Sequence, residues 1–305
     1  MDKSCHLEML RTPTGRVDVV LDTDAYNEID DQFALAYLLR NDDRLNCRAI
    51  CAAPFHNTRS TGPADGMEKS YDEIMKLLTL CGREDMTPAV FKGSTAFLLD
   101  EHTPVESDAA HEIVRLANAY SSEKPLYVVA IGAITNVASA ILMDRSIIDK
   151  MVVVWLGGHA LDWKDTREFN MKQDVAAARV VFGSGVPLVQ LPCCGVVSAF
   201  AVGQHELEDQ LMGCNPLCDY LASNTIEYMN VHSHDGEWSK VIWDVTAVAW
   251  LLNDGEGFMK ERIIHTPIPE YEGCYSFSEE TALMKYVWKI ERDRLFDDLY
   301  QKLRG

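Results

Sequence analysis

Basic side chains are scarce in this chain: 28 lysines and arginines stand against 47 aspartates and glutamates, a formal charge of −19. That balance is a poor footprint for gripping phosphates, so neither nucleic acid nor an anionic membrane is an expected partner. Long apolar runs are missing as well. No stretch approaches the roughly 18 consecutive apolar residues of a membrane helix, and there is no lipidation signal. The nine cysteines show no CxxC spacing, and the opening MDKSCHLEMLRTPTG has no apolar signal core. Reduced thiols in a cytoplasmic protein are therefore expected. Gly132 and the pair Gly157-Gly158 follow apolar runs, but GxGxxG and GxxxxGK are absent, which argues against a phosphate cradle. Repeats, low-complexity segments and long linkers are also lacking, so a single domain is expected.

What is present is the material for a large core: 305 residues, 47% hydrophobic and 25% charged. Residues 17–22 form a β-branched apolar run of the kind that makes a buried parallel strand, and 30–40 carry apolar side chains at helical spacing. The alternation continues with strands at 47–53, 126–131, 151–156 and 186–191. Helices are expected at 66–81, 109–120, 135–143 and 176–182. Alternation of this kind predicts an α/β fold: a mostly parallel central sheet with helices on both faces. Beyond residue 200 the pattern becomes more helical, at 207–212, 216–228 and 240–252. Strands near Ile263 and at 284–290 then precede a closing helix at 294–303. The domain is expected over 17–305, with 1–16 as an N-terminal extension.

Four carboxylates fall in the ten-residue string DTDAYNEIDD: Asp22, Asp24, Asp30 and Asp31. A strand end followed by a helix start gathers them at one rim, where mutual repulsion raises their pKa values unless a cation offsets it. A solvated acidic loop with Asp30 as helix cap accounts for one or two of them; four beside an apolar strand favour a hard cation, Ca²⁺ or Mg²⁺. An EF-hand loop fails where Asn27 fills the glycine position and a strand precedes Asp22. The Asp-x-Asp strand end of haloacid-dehalogenase-type phosphatases fails at the following threonine, here Tyr26.

The residues resemble the nucleoside hydrolases, the calcium-dependent N-ribosyl hydrolases of the inosine/uridine-preferring type. The family signature, Asp-Thr-Asp, a short turn, then Asp-Asp-Ala opening a helix, stands here as DTDAYNEIDDQFALAYLL. Further matches follow in order: Asn57; Ile131-Gly132-Ala133-Ile134-Thr135-Asn136; Glu168-Phe169-Asn170 with Asp174; Asp244-Val245-Thr246-Ala247-Val248-Ala249; and the closing MKYVWKIERDRLFDDLYQKL. The resemblance spans about residues 17–305 and implies a Rossmann-like fold and hydrolysis of a small-molecule nucleoside to free base and ribose.

Carried over position by position, the resemblance makes Asp24, Asp31, Asp244 and the Ile131 carbonyl the ligands of Ca²⁺. Asp30, Asn170, Glu168 and Asp244 would hold the ribose hydroxyls with Asn57 beside them, Asp22 would buttress the metal loop, and Asp24 would be the general base. An oxocarbenium-like transition state suits a ring of carboxylates, and no basic cluster accompanies the acidic string. The family's histidine before the late aspartate is replaced by Trp243, which resembles purine-preferring relatives in which an indole stacks on the base. Trp163, Tyr228, Trp238, His232 and His234 lie in segments able to reach the base, though packing accounts for each singly. The turn Ala25 to Ile29 is longer than the family's, bringing in Asn27 and Glu28. The 158–168 loop is shorter, leaving Asp162 as a candidate for the 5′-hydroxyl. Cys193-Cys194 reads as small apolar packing rather than a thiol nucleophile. A homodimer or homotetramer is implied. The alternatives are a sugar- or nucleoside-binding protein of the same fold with little activity, and a hydrolase of an unusual N-riboside.

Overall fold

The computed structural model describes residues 2–233 and 236–305. In chain order the elements are α1 (Lys3–Met9), β1 (Val17–Thr23), α2 (Asp30–Arg40), β2 (Leu45–Ala52), α3 (Pro63–Cys81), β3 (Val90–Lys92), α4 (Asp108–Ala117), β4 (Leu126–Ala130), α5 (Thr135–Met143) and β5 (Met151–Leu156). There follow α6 (Phe169–Gln173), α7 (Val175–Ser184), β6 (Leu188–Leu191), β7 (Ala201–Gly203), α8 (Gln204–Leu211), α9 (Pro216–His232) and β8 (Ser239–Val241). The chain closes with α10 (Val245–Trp250), β9 (Met259–His265), β10 (Ile268–Pro269), β11 (Tyr275–Ser276), β12 (Leu283–Ile290) and α11 (Arg292–Arg304).

Eight strands form the central sheet in the order β3-β2-β1-β4-β5-β6-β12-β9, parallel throughout except where β9 pairs antiparallel with β12. Side chains alternate between two cores, one on each face. Val19 and Leu21 of β1 pack with α2, α3 and the late helices α8 to α11, whereas Val20 packs with α4, α5 and α7. The chain winds outward from β1 to β3, then crosses to β4 and winds outward the other way. Strand order therefore reverses between β1 and β4, which opens a crevice at their carboxyl ends.

The principal expected strands and helices are present with shifted ends. Helix α3 starts earlier than the periodicity suggests because Pro63, with φ preset and no N–H to lose, occupies its first turn. The helix expected over 240–252 is divided. Lys240 and Val241 belong to β8, which pairs antiparallel with β7, and the helix proper runs only through α10. The short pairs β7–β8 and β10–β11 and the edge strand β3 are too brief to show a period. Residues before β1 include α1, where the His6 ring donates to the Leu283 carbonyl at 2.6 Å and so joins the segment to β12. All nine cysteines are unpaired, and among the described residues no helix is long and apolar enough to cross a membrane.

Candidate active site

The carboxylates converge where the strand order reverses. Strand β1 runs into Asp22, Thr23 and Asp24, all fully buried, and α2 begins with Asp30 and Asp31 in its first turn, where the helix dipole favours negative charge. Thr23 Oγ1 donates to Asp31 Oδ1 at 2.5 Å, and Asn136 Nδ2 donates to Asp22 Oδ1 at 2.7 Å. Asp244 arrives from the far end of the chain at the start of α10. Oxygen atoms of Asp30, Asp31 and Asp244 lie within 4.8 Å of one another. Asp24 is not part of that tightest group but faces the charges of Asp31, Asp30 and Asp22, and both of its oxygens are buried without a hydrogen-bond partner. Gly132, after β4, lets it sit there: a Cβ on that residue would be 2.8 Å from Asp24 Oδ1.

The cluster opens into a small cleft of about 210 Å³. Asp30, Asp31, Ile131, Glu168, Asn170, Trp243 and Asp244 line it; Asp24 and Asn57 do not. Asn57 acts at one remove, donating from Nδ2 to Oδ1 of the lining residue Asn27 at 2.6 Å. Asn170 Nδ2 donates to the carbonyls of Ile131 and Leu156, both at 3.1 Å, which fixes the amide and leaves Oδ1 as an acceptor. Glu168 caps α6, accepting from the amides of Asn170 at 2.8 Å, Met171 at 3.0 Å and Gly158 at 2.9 Å. Gly158 has φ +73°, a left-handed conformation that glycine adopts freely. Asp174 caps α7 and takes the Thr135 hydroxyl at 2.7 Å, so it braces the scaffold and stands outside the lining.

Burial dominates the electrostatics. It pushes Asp22 and Asp31 up to about 7, the charge of Asp30 adding to the rise at Asp31. Burial also pushes Asp24 and Asp244 well above the usual carboxylate range, with the neighbouring aspartates adding repulsion. Glu168 is raised by burial, and its three amide donors oppose the rise. Buried acceptor oxygens without donors, gathered in one place, fit a hard divalent cation. A stability signature follows. Asp22 and Asp31 hold protons more tightly in the folded metal-free protein than in the unfolded chain, so their contribution is intact below about pH 4 and is lost as pH rises to about 7. The melting temperature of chelated protein is expected to fall between pH 5 and pH 8, and added calcium should reverse the fall at pH 8. A chelated protein whose midpoint rises over that interval would contradict the cluster's protonation.

Sequence reasoning missed a cation inside the acidic ring. Buried Lys240 pairs with Glu28 of the long turn and lies 3.5 Å from Asp30. No local signal marks it, because Glu28 and Lys240 are 212 positions apart. His159 also lines the cleft and was not singled out. Of the aromatic candidates among the described residues, only Trp243 lines the cleft. Trp163 is 44% exposed, His232 is exposed and stacks on Tyr228, and Trp238 reaches toward Asn230. His234 lies outside the described residues. Asp162 is exposed and away from the lining. Cys193 and Cys194 do line the cleft, but burial pushes both thiols up, the opposite of nucleophile activation.

A carboxylate-ringed cleft at the reversal point of a parallel sheet defines a class: an α/β enzyme with negative charge concentrated at its site. The chain belongs to the inosine-uridine preferring nucleoside hydrolase family, whose family model matches residues 19–295. It is 24% identical over 241 residues to the pyrimidine-specific ribonucleoside hydrolase RihA of Photobacterium profundum, covering 70% of this chain and 76% of that protein. Among solved structures it is similar to a plant nucleoside hydrolase, PpNRh1, with TM-score 0.77 at 18% identity, covering 96% of this chain and all of the other. A purine-preferring ribonucleoside hydrolase from Gardnerella vaginalis gives TM-score 0.74 at 17% identity, covering 94% and 98%. The family is that of N-ribosyl hydrolases, and the expected class of enzyme stands.

Proposed function

We propose that this protein is a Ca²⁺-dependent hydrolase that cleaves the N-glycosidic bond of a ribonucleoside to free base and ribose. The observation that supports it most is the meeting of Asp244 with Asp30 and Asp31, three carboxylates with no other reason to share a buried rim. Asp24, Asp31, Asp244 and the Ile131 carbonyl would hold the ion, which when bound keeps the carboxylates ionised, lowers the pKa of the attacking water and orients the ribose hydroxyls.

The remaining work belongs to the chain's own side chains. Asp30, Asn170, Glu168 and Asp244 grip the 2′-, 3′- and 5′-hydroxyls, and their summed negative charge stabilises the positive charge that develops on the sugar as the bond to the base lengthens. Asn57 steadies the rim through Asn27. Asp24, with two unpartnered oxygens, takes the proton of the attacking water. Lys240 tempers the repulsion between Glu28 and Asp30 and does not itself line the cleft. Trp243 stacks on the base and favours its protonation by solvent.

The test is a panel of purine, pyrimidine and nicotinamide ribosides incubated with calcium-loaded protein and read out as reducing sugar. Saturable turnover of at least one riboside, abolished by chelation and restored by calcium, is expected. Saturable binding of ribosides with no ribose released would overturn the hydrolase reading in favour of a binding protein.

A further inference from the structure

We infer that His159 is a further catalytic residue of this cleft: its Nε2–H, set as the donor by the backbone amide of Cys194, hydrogen-bonds the base as the glycosidic bond breaks. The inference rests on the N-ribosyl hydrolase reading and adds to it a residue for the leaving group, the half of the reaction that the carboxylates do not serve.

His159 follows β5 directly after Gly157 and Gly158. It is half-buried and lines the same cleft as Asp30, Asn170 and Trp243. The Cys194 N–H donates to its Nδ1 at 3.3 Å. An N–H donor meets only an unprotonated ring nitrogen, so the imidazole is neutral and carries its single proton on Nε2. Burial agrees, holding the ring below its ordinary pKa, with Lys164 in the same direction and Asp165 opposing. Trp163 packs against the ring at 5.9 Å between centroids. Among the described residues no group accepts a hydrogen bond from Nε2. Asn170 Nδ2 is committed to the Ile131 and Leu156 carbonyls, and nearby Lys240 to Glu28 and Asp30. His159 therefore offers the cleft a neutral donor that is free to meet a ligand.

A neutral donor is what a departing base requires beside so many carboxylates. The C1′–N bond breaks with its electron pair on the base nitrogen, the water oxygen bonds to C1′, and Asp24 receives the water's proton. The base takes its own proton from solvent. His159 gives up no proton; it donates a hydrogen bond to a ring nitrogen or carbonyl oxygen on which negative charge collects, stabilising the anion until it is protonated.

The experiment uses the calcium-loaded full chain and two variants, His159→Phe and His159→Gln, assayed on inosine, uridine and p-nitrophenyl β-D-ribofuranoside. The nitrophenolate is stable as an anion and needs no help to leave. His159→Phe is expected to lose about 10²–10³-fold in kcat on inosine or uridine but less than about threefold on the nitrophenyl riboside, the size of one donor aimed at developing charge. His159→Gln, whose carboxamide restores a donor, should recover about tenfold over His159→Phe on the nucleosides, with KM little changed in either variant. Equal losses on all substrates, full nucleoside activity in His159→Phe, or no recovery in His159→Gln would each overturn the inference. If the wild-type protein releases ribose from none of the three, the hydrolase reading itself fails.

Discussion

Asp24→Ala is expected to reduce ribose release by at least about 10²–10⁴-fold, the range contributed by a single positioned general base. On the proposed reading the effect is deeper still, because the same carboxylate would also hold the ion. The variant should still fold. Asp24 contributes no hydrogen bond to the surrounding structure through either oxygen, and burial raises its pKa well above the carboxylate range, so removing it relieves desolvation and repulsion. Circular dichroism and initial rates at saturating calcium check the two halves together. A folded Asp24→Ala protein with wild-type turnover would remove Asp24 from the chemistry.

Asp31→Asn is expected to move stability and function in opposite directions. In the metal-free protein Asp31 is held at about 7 by burial and by the charge of Asp30, against an ordinary value of 3.8. At pH 8 that displacement costs on the order of several kcal/mol, at about 1.4 kcal/mol per pKa unit. Asparagine keeps an oxygen to accept the Thr23 hydroxyl and discards the charge. Chelated Asp31→Asn should therefore melt higher than chelated wild type by roughly 5 °C or more at pH 8. Calcium should stabilise the wild type and leave the variant nearly unmoved, while turnover falls below detection. Calorimetric scans with and without calcium read both effects. A variant less stable than wild type when chelated would show that Asp31 is a structural group and not a ligand held under strain.

The parts of this fold legible in sequence are those with a local physical signature. The β-branched run before Asp22 and the apolar spacing after Asp30 mark β1 and α2 because a strand and a helix each print a period. The acidic string between them is visible because repulsion among close carboxylates needs an explanation wherever it occurs. Asp244 is different: nothing near it in the chain signals a site, and its place was legible only through the family resemblance. Lys240 stayed invisible for the complementary reason. Its partner Glu28 is 212 positions away in the chain, and its neighbours Val241 and Ile242 read equally well as helix core or as strand. His159 depends on one backbone amide from another loop, a contact that no residue pattern encodes.

The two borders of the central sheet have a consequence for self-association. Strand β3 is three residues long, and β9 at the opposite border carries Lys260, Glu261 and Arg262 in succession. One border is too brief, and the other too heavily ionised, to serve as a template for strand addition or fibril growth. Copies of this chain are thereby steered away from joining sheet to sheet, and any assembly they form has to be built from helix flanks and connecting segments.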